Sequence, residues 1–303
     1  MSPQRYRRVV LIASAALAVI VVTGAAVRLT EAGLGCENWP ACSEDRFVPE
    51  LALHPWIEFG NRLLSGVVAL ATVAAVLSAY RRRPRRRDLI LWAWGLVAGV
   101  VAQIVLGGIT VMVDLHPLLV GAHFLLSMVL LWNAAVLWVR SGSGPGPVAA
   151  VGPSSLMAHG WALTAAATVV LVTGTLVTGT GPHAGDSRAD RLNFALNDVV
   201  RVHTGAVWVF LAVAVALAIR LYRSGGAAEQ ALRWLLGISL AQGIVGYVQY
   251  ATGLPPLLVG LHICGAIGVW VTAVLVHLRL VDRPPVDGPD TMLLPSTLDK
   301  IVA

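Results

Sequence analysis

Eight apolar stretches, at roughly residues 9–29, 57–80, 89–112, 117–139, 157–178, 199–222, 231–251 and 256–280, alternate along the chain with short polar segments. About 20 apolar residues carry a helix across a bilayer core, and lipid admits only helices or closed barrels. These stretches are too long and too continuously apolar for barrel strands, which run to about ten residues and alternate. The pattern predicts an all-α polytopic membrane protein with eight transmembrane helices. The first stretch exceeds the apolar core of a signal peptide and no small-residue cleavage site follows it, so it reads as a retained span.

The apolar pattern repeats. The first stretch ends Val22-Thr23-Gly24-Ala25-Ala26-Val27 and the fifth Val172-Thr173-Gly174-Thr175-Leu176-Val177. The fourth opens Pro117-Leu118-Leu119-Val120-Gly121-Ala122-His123 and the eighth Pro256-Leu257-Leu258-Val259-Gly260-Leu261-His262, identical at six of seven positions. Each half has an even number of spans, so the repeat is parallel, about an axis along the membrane normal. Two repeated four-helix bundles are expected, at 1–140 and 157–283. A linker rich in Gly, Pro, Ser, Val and Ala joins them at 141–156, and a flexible polar tail follows at 284–303. In the same register the second span sets Asn61 opposite His203 of the sixth.

Composition excludes whole classes. Of 303 residues 57% are hydrophobic and 13% charged, and the mean hydropathy is +0.75. A soluble domain is nearer a quarter charged, which argues against a disordered chain and a soluble enzyme. The net charge of +6 would suggest nucleic acid if it were one patch. It is not. With both termini in the cytoplasm, the inner segments hold 16 basic and six acidic residues and the outer side six and ten. The inner set is Arg5, Arg7, Arg8, the run from Arg81 to Arg87, Arg140, Arg220, Arg223, Arg233, Arg279, Arg283 and Lys300. That asymmetry is a topology signal. It places the chain in the cell membrane, with the lipid bilayer and no nucleic acid as a partner.

Ionisable residues inside a span mark functional sites by default. His123, His203, His262 and Asn61 all fall roughly 6–10 Å below the outer surface at 1.5 Å per residue. Two imidazoles on facing helices make a bis-His haem site, so His203 with His262 would close one in the C-terminal half. His123 stands alone in the N-terminal half, with Asn61 opposite. Inter-helix hydrogen bonding by isolated histidines is the plainer alternative. Glu58 lies at the outer mouth of the second span, three residues before Asn61 and on the same face. It is either a proton relay or an interface charge. Arg28, Arg62 and Arg201 at outer helix ends suit haem propionates, or simply reach the headgroups.

Three cysteines are too few for a disulfide scaffold. Cys36 and Cys42 stand in the long outer loop Gly33-Leu34-Gly35-Cys36-Glu37-Asn38-Trp39-Pro40-Ala41-Cys42, where an oxidising compartment favours a disulfide, structural or redox-active. Cys264 reads as a packing residue. His54, His116 and His183 in outer loops, and His159 and His277 near the inner face, carry little signal.

These segments together resemble the haem A synthase family in its bacterial, actinobacterial-like form. They are Val27-Arg28-Leu29-Thr30-Glu31-Ala32-Gly33-Leu34-Gly35-Cys36 with Trp39-Pro40 and Cys42, Ile57-Glu58-Phe59-Gly60-Asn61-Arg62, and Leu118 to His123. With them go Thr178-Gly179-Thr180-Gly181-Pro182-His183-Ala184-Gly185-Asp186 and Leu257 to His262. The resemblance covers about residues 9–280. It implies oxidation of the C8 methyl of haem O to a formyl group, giving haem A for haem-copper terminal oxidases, by successive hydroxylations and loss of water. It implies haem b on His203 and His262, and His123 as a haem ligand where haem O binds as substrate. Glu58 matches the functional carboxylate, and Cys36 and Cys42 the loop pair of one subgroup. Partners would include haem O, haem A, haem O synthase and terminal oxidase assembly factors. Many members have His where this chain has Asn61. An iron with His123 as its one protein ligand keeps the open position that oxygen activation needs, whereas a six-coordinate haem suits electron transfer. The N-terminal half is thus expected to be the reaction chamber.

Two other classes compete. A non-catalytic di-haem electron carrier explains histidines at one depth, but would keep two closed sites. A small-solute transporter explains the repeat and not the aligned histidines.

Overall fold

A computed structural model describes residues 1–144, 149–150 and 152–282. Part of the expected linker, the tail at 284–303, Arg283 and Lys300 lie outside the described residues.

All eight expected spans are helices, each long and apolar enough to cross a membrane. They are α1 (Pro3–Leu29), α2 (Leu53–Arg81), α3 (Arg87–Met112), α4 (Pro117–Ser141), α5 (Ser154–Thr180), α6 (Leu196–Leu221), α7 (Ala227–Ala251) and α8 (Pro256–Arg279). Local chemistry sets several starts. Pro3, Pro117 and Pro256 occupy first-turn positions, where a missing N–H costs nothing, and the Ser2 hydroxyl accepts from the Arg5 N–H. A feature that the apolar pattern did not foresee is a two-residue antiparallel pairing, Ala149–Ala150 with Val281–Asp282, which ties the inter-half segment to the end of α8.

In the first half α1 packs on α2 and α4, and α3 on α2 and α4. In the second, α5 packs on α6 and α8, and α7 on α6 and α8. The halves meet along α1, α4, α5 and α8, where the buried Trp270 indole N–H donates to the Met128 carbonyl at 2.7 Å. One apolar cluster runs through both halves. Large apolar side chains such as Ile12, Leu70, Leu91, Ile219 and Leu240 point outward, as a lipid-facing surface requires.

Between lipid-embedded helices the hydrophobic effect supplies no attraction, so close backbone approach and hydrogen bonds fix the packing. Gln103 of α3 donates to the His123 carbonyl on α4 at 3.0 Å. Gln242 of α7 donates to the His262 carbonyl on α8 at 2.7 Å. A bond of this kind is worth only about 0.6 kcal/mol in a membrane, so these two set register more than stability. The turns match as well. Asp114 and Leu115 before α4, and Gly253 and Leu254 before α8, all take positive φ.

The loops α1–α2, α3–α4, α5–α6 and α7–α8 gather at one end, called here the loop end. Arginines crowd the opposite end, where the Met1 amine donates to the Arg81 carbonyl at 2.8 Å. The Arg83 N–H donates back to the Met1 carbonyl. Two arginines of this end are structural rather than surface charges. Arg82 is buried, and buried Arg86 pairs with Asp88 at 2.6 Å and donates to the carbonyls of Arg140 and Ser143.

Candidate haem site and its covering loops

The fold brings His203 of α6 and His262 of α8 together, with ring centroids 6.5 Å apart and planes nearly perpendicular at 78°. Metal–imidazole bonds are about 2 Å long, so two imidazoles bound to opposite sides of one iron place their centroids roughly 6 Å apart. The pair fits that requirement. The nitrogens are also sorted for it. The Thr173 hydroxyl donates to the Val169 carbonyl at 2.9 Å and meets His203 Nδ1 at 3.1 Å. With its proton so used it accepts from an Nδ1–H, the tautomer in which Nε2 keeps its lone pair. His262 Nδ1 is buried and has no hydrogen-bond partner among the described residues. Of the two rings, His203 is held by its other nitrogen as a ligating histidine is. Among the described residues no three His, Cys, Asp or Glu converge on a metal position. Two imidazoles without a thiolate or carboxylate suit haem better than a bare ion.

Small residues make room for each ring. A Cβ on Gly174 of α5 would sit 3.3 Å from His203 Cε1, and one on Gly246 of α7 would sit 3.2 Å from His262 Cε1. The N-terminal half has the same parts. Gly107 of α3 lies against His123, a Cβ there falling 3.1 Å from Cε1, and Gly24 of α1 lies against Asn61. The Thr23 hydroxyl reaches Asn61 Oδ1 at 2.8 Å. His123 Nδ1 is buried with no partner.

Above this half lies the α1–α2 loop, closed by a Cys36–Cys42 disulfide. Glu58 and Arg62, one turn apart on α2, hold it. Buried Glu58 accepts the Cys36 N–H on Oε2 at 2.7 Å, while Oε1 accepts Arg62 Nη2 at 2.5 Å and Nε at 3.1 Å. Arg62 also donates to the carbonyls of Asn38 at 2.8 Å and Ala41 at 3.2 Å. The loop so seated lays the Trp39 ring on Gly108 of α3, where a Cβ would fall 2.6 Å from the ring. Gly108 is the neighbour of Gly107, which touches His123.

The second covering loop, α5–α6, is held by Arg28, which donates from Nε to the His183 carbonyl at 2.6 Å and from Nη2 to the Thr178 carbonyl at 2.8 Å. His183 Nε2 meets the Leu254 carbonyl at 2.8 Å. The Gly33 N–H donates to the Gly185 carbonyl, joining the two loops. Burial opposes ionisation of Asp186, but hydrogen bonds from Arg188 hold its carboxyl below the usual carboxylate range. Arg188 also reaches the Leu34 carbonyl.

Of the three arginines expected to face propionates, Arg28 and Arg62 are engaged with loop carbonyls and Glu58. Arg201 is exposed, 3.8 Å from Asp198, and lines a groove with Asn197, Thr204, Trp208 and Tyr250. Cys264 is exposed and free. His159 contacts Ser155 and Arg220, and His277 meets Trp161 edge-on, away from the site. The residues missed in the sequence are the supporting ones: Thr23, Thr173, Gln103, Gln242, Gly107, Gly246 and Trp39. Ala102-Gln103 and Ala241-Gln242 precede Gly107 and Gly246 at equal spacing, a signal that extending the repeat into spans three and seven would have exposed.

The model of the COX15-CtaA family, described as cytochrome oxidase assembly protein, matches residues 7–54 and 50–185. Curated relatives include a heme A synthase of Geobacillus kaustophilus, 36% identical over 107 residues, 35% of this chain and 33% of the relative. One from Geobacillus thermodenitrificans is 34% identical over 106 residues, 35% of this chain and 33% of the relative. One from Symbiobacterium thermophilum is 32% identical over 139 residues, 46% of this chain and 45% of the relative. The matched stretch thus spans about a third of the length of the Geobacillus relatives.

Proposed function

The chain belongs to the COX15-CtaA family of cytochrome oxidase assembly proteins, and from that premise we propose that it is a haem A synthase. It oxidises the C8 methyl of haem O to a formyl group, for use in haem-copper terminal oxidases. The observation that carries this reading is a pair of matching helix arrangements. One is closed by two imidazoles, His203 and His262, and the other offers His123 and an amide, Asn61. A closed site and an open site side by side suit electron transfer into an oxidising chamber. A carrier would need two closed sites.

His203 and His262 hold haem b in the C-terminal half. Bound there, haem b supplies one-electron transfer. The polypeptide's own contributions are positional. Thr173 fixes the His203 tautomer. Gly174 and Gly246 let α5 and α7 come close enough to wedge the rings. In the N-terminal half His123 binds the substrate haem O. Glu58 and Arg62 seat the Trp39 loop over that half, which excludes water from the substrate. Glu58 is also the functional carboxylate, and Arg201 is the arginine best placed for a propionate. The arginine-rich end faces the cytoplasm, with both termini. The loop end, with its disulfide, faces the oxidising side.

An optical spectrum of the purified protein separates haem protein from solute transporter. A low-spin, bis-imidazole haem signal is expected, and its absence from protein expressed with ample haem would refute the haem reading. Packing adds a second expectation. Gly246→Val pushes into the His262 ring, costs about 1–3 kcal/mol as overpacking, and lowers haem content while His123 is unaffected. Haem per polypeptide measures it.

A further inference from the structure

We infer that Asn61 presents its side-chain amide as a hydrogen-bond donor to a small ligand bound on the side of the N-terminal site opposite His123. The inference rests on haem binding in that half and deepens it.

The two halves supply the reason. In the C-terminal half, Thr173 and Gly174 flank His203, Gln242 and Gly246 flank His262, and the two rings come together. In the N-terminal half, Thr23 and Gly24 flank Asn61, and Gln103 and Gly107 flank His123. Asn61 therefore stands where the second imidazole stands in the other half.

The amide is oriented. The Thr23 hydroxyl lies 2.8 Å from Asn61 Oδ1 and 3.2 Å from the Ile20 carbonyl. It carries one proton, and the shorter contact takes it. In the other half Thr173 does the reverse, accepting from His203. With Oδ1 engaged by Thr23, the amide's two N–H groups have no hydrogen-bond partner among the described residues. Nδ2 lies over Gly24, 3.9 Å from where a Cβ would be. An amide nitrogen has no lone pair to give a metal, so this side chain does not close the site as an imidazole would. It offers N–H donors to whatever binds there. The ligand class is a small acceptor, such as fluoride, cyanide or an oxygen species of similar size.

The test uses the purified protein with its haems, oxidised and titrated with fluoride, followed by optical and electron paramagnetic resonance spectra. The bis-imidazole haem cannot respond, so it serves as an internal control for folding. Wild type should bind fluoride at the other haem. Asn61→Leu, of similar size and without donors, should weaken fluoride about tenfold with the control signal intact. Thr23→Val frees the amide to rotate and should weaken it by a smaller factor. Asn61→His should abolish fluoride binding and convert the high-spin signal to low-spin. Unchanged fluoride affinity in Asn61→Leu overturns the donor role alone. A wild-type protein with no fluoride response overturns the N-terminal haem reading and this inference with it.

Discussion

His203→Ala and His262→Ala each strip the stable haem signal from the purified protein, while His123→Ala leaves it in place. The two rings lie 6.5 Å apart and converge from helices that do not otherwise pack closely. Removing either would leave a haem iron bound there with one protein ligand in the C-terminal half. The change is a loss of the low-spin spectrum, not a shift of a few per cent. Helix content should survive, because each ring is half-buried and rests against a glycine rather than inside the apolar cluster. A bis-imidazole spectrum retained in both mutants would show that these rings are ordinary inter-helix contacts.

The second large effect is at the covering loop. Arg62→Ala leaves Glu58 buried without its cation and removes the donor to four loop carbonyls, those of Cys36, Asn38, Pro40 and Ala41. Breaking a buried pair by deleting one partner costs about 3–5 kcal/mol, far more than an exposed pair would. The expected results are an earlier thermal transition in detergent and faster reduction of Cys36–Cys42. A transition within about 1 kcal/mol of wild type would show that the loop is held by other contacts. Glu58→Gln separates seating from chemistry. The amide can still accept the Cys36 N–H, so the loop should stay in place. Loss of haem O oxidation in that variant then assigns the carboxylate a chemical role. Full activity would confine Glu58 to holding the loop.

Much of this architecture was legible in the sequence because lipid imposes a simple code. A span must satisfy its own backbone and show apolar side chains outward, so eight apolar runs became eight helices, α1 to α8, with little ambiguity. The His123 and His262 pair was legible for a related reason. An imidazole is costly enough in a span that two at matching positions stand out. The supporting groups were harder to read. Gly107 and Gly246 act through the space they leave, and Thr23 and Thr173 through one hydroxyl each, and such residues are common in any membrane helix. Charge left the arginines' contacts unread. Arg28 and Arg62 look like free cations at helix ends, but the structure engages them with backbone carbonyls of the covering loops. Likewise Arg82 and Arg86 are buried, and Arg86 ties the α2–α3 turn to the end of α4 through the Arg140 and Ser143 carbonyls. No apolar pattern encodes where an arginine's five donors go, since loop carbonyls converge only in the folded chain.

The most direct test of the proposed activity is extraction and chromatography of haems from cells that make haem O and express this chain, with His123→Ala beside wild type. Haem A should accumulate with wild type and be absent with His123→Ala, although the bis-imidazole spectrum persists in both. Recovery of haem O alone from wild-type cells, with that spectrum intact, would contradict the synthase reading and leave an electron carrier in its place.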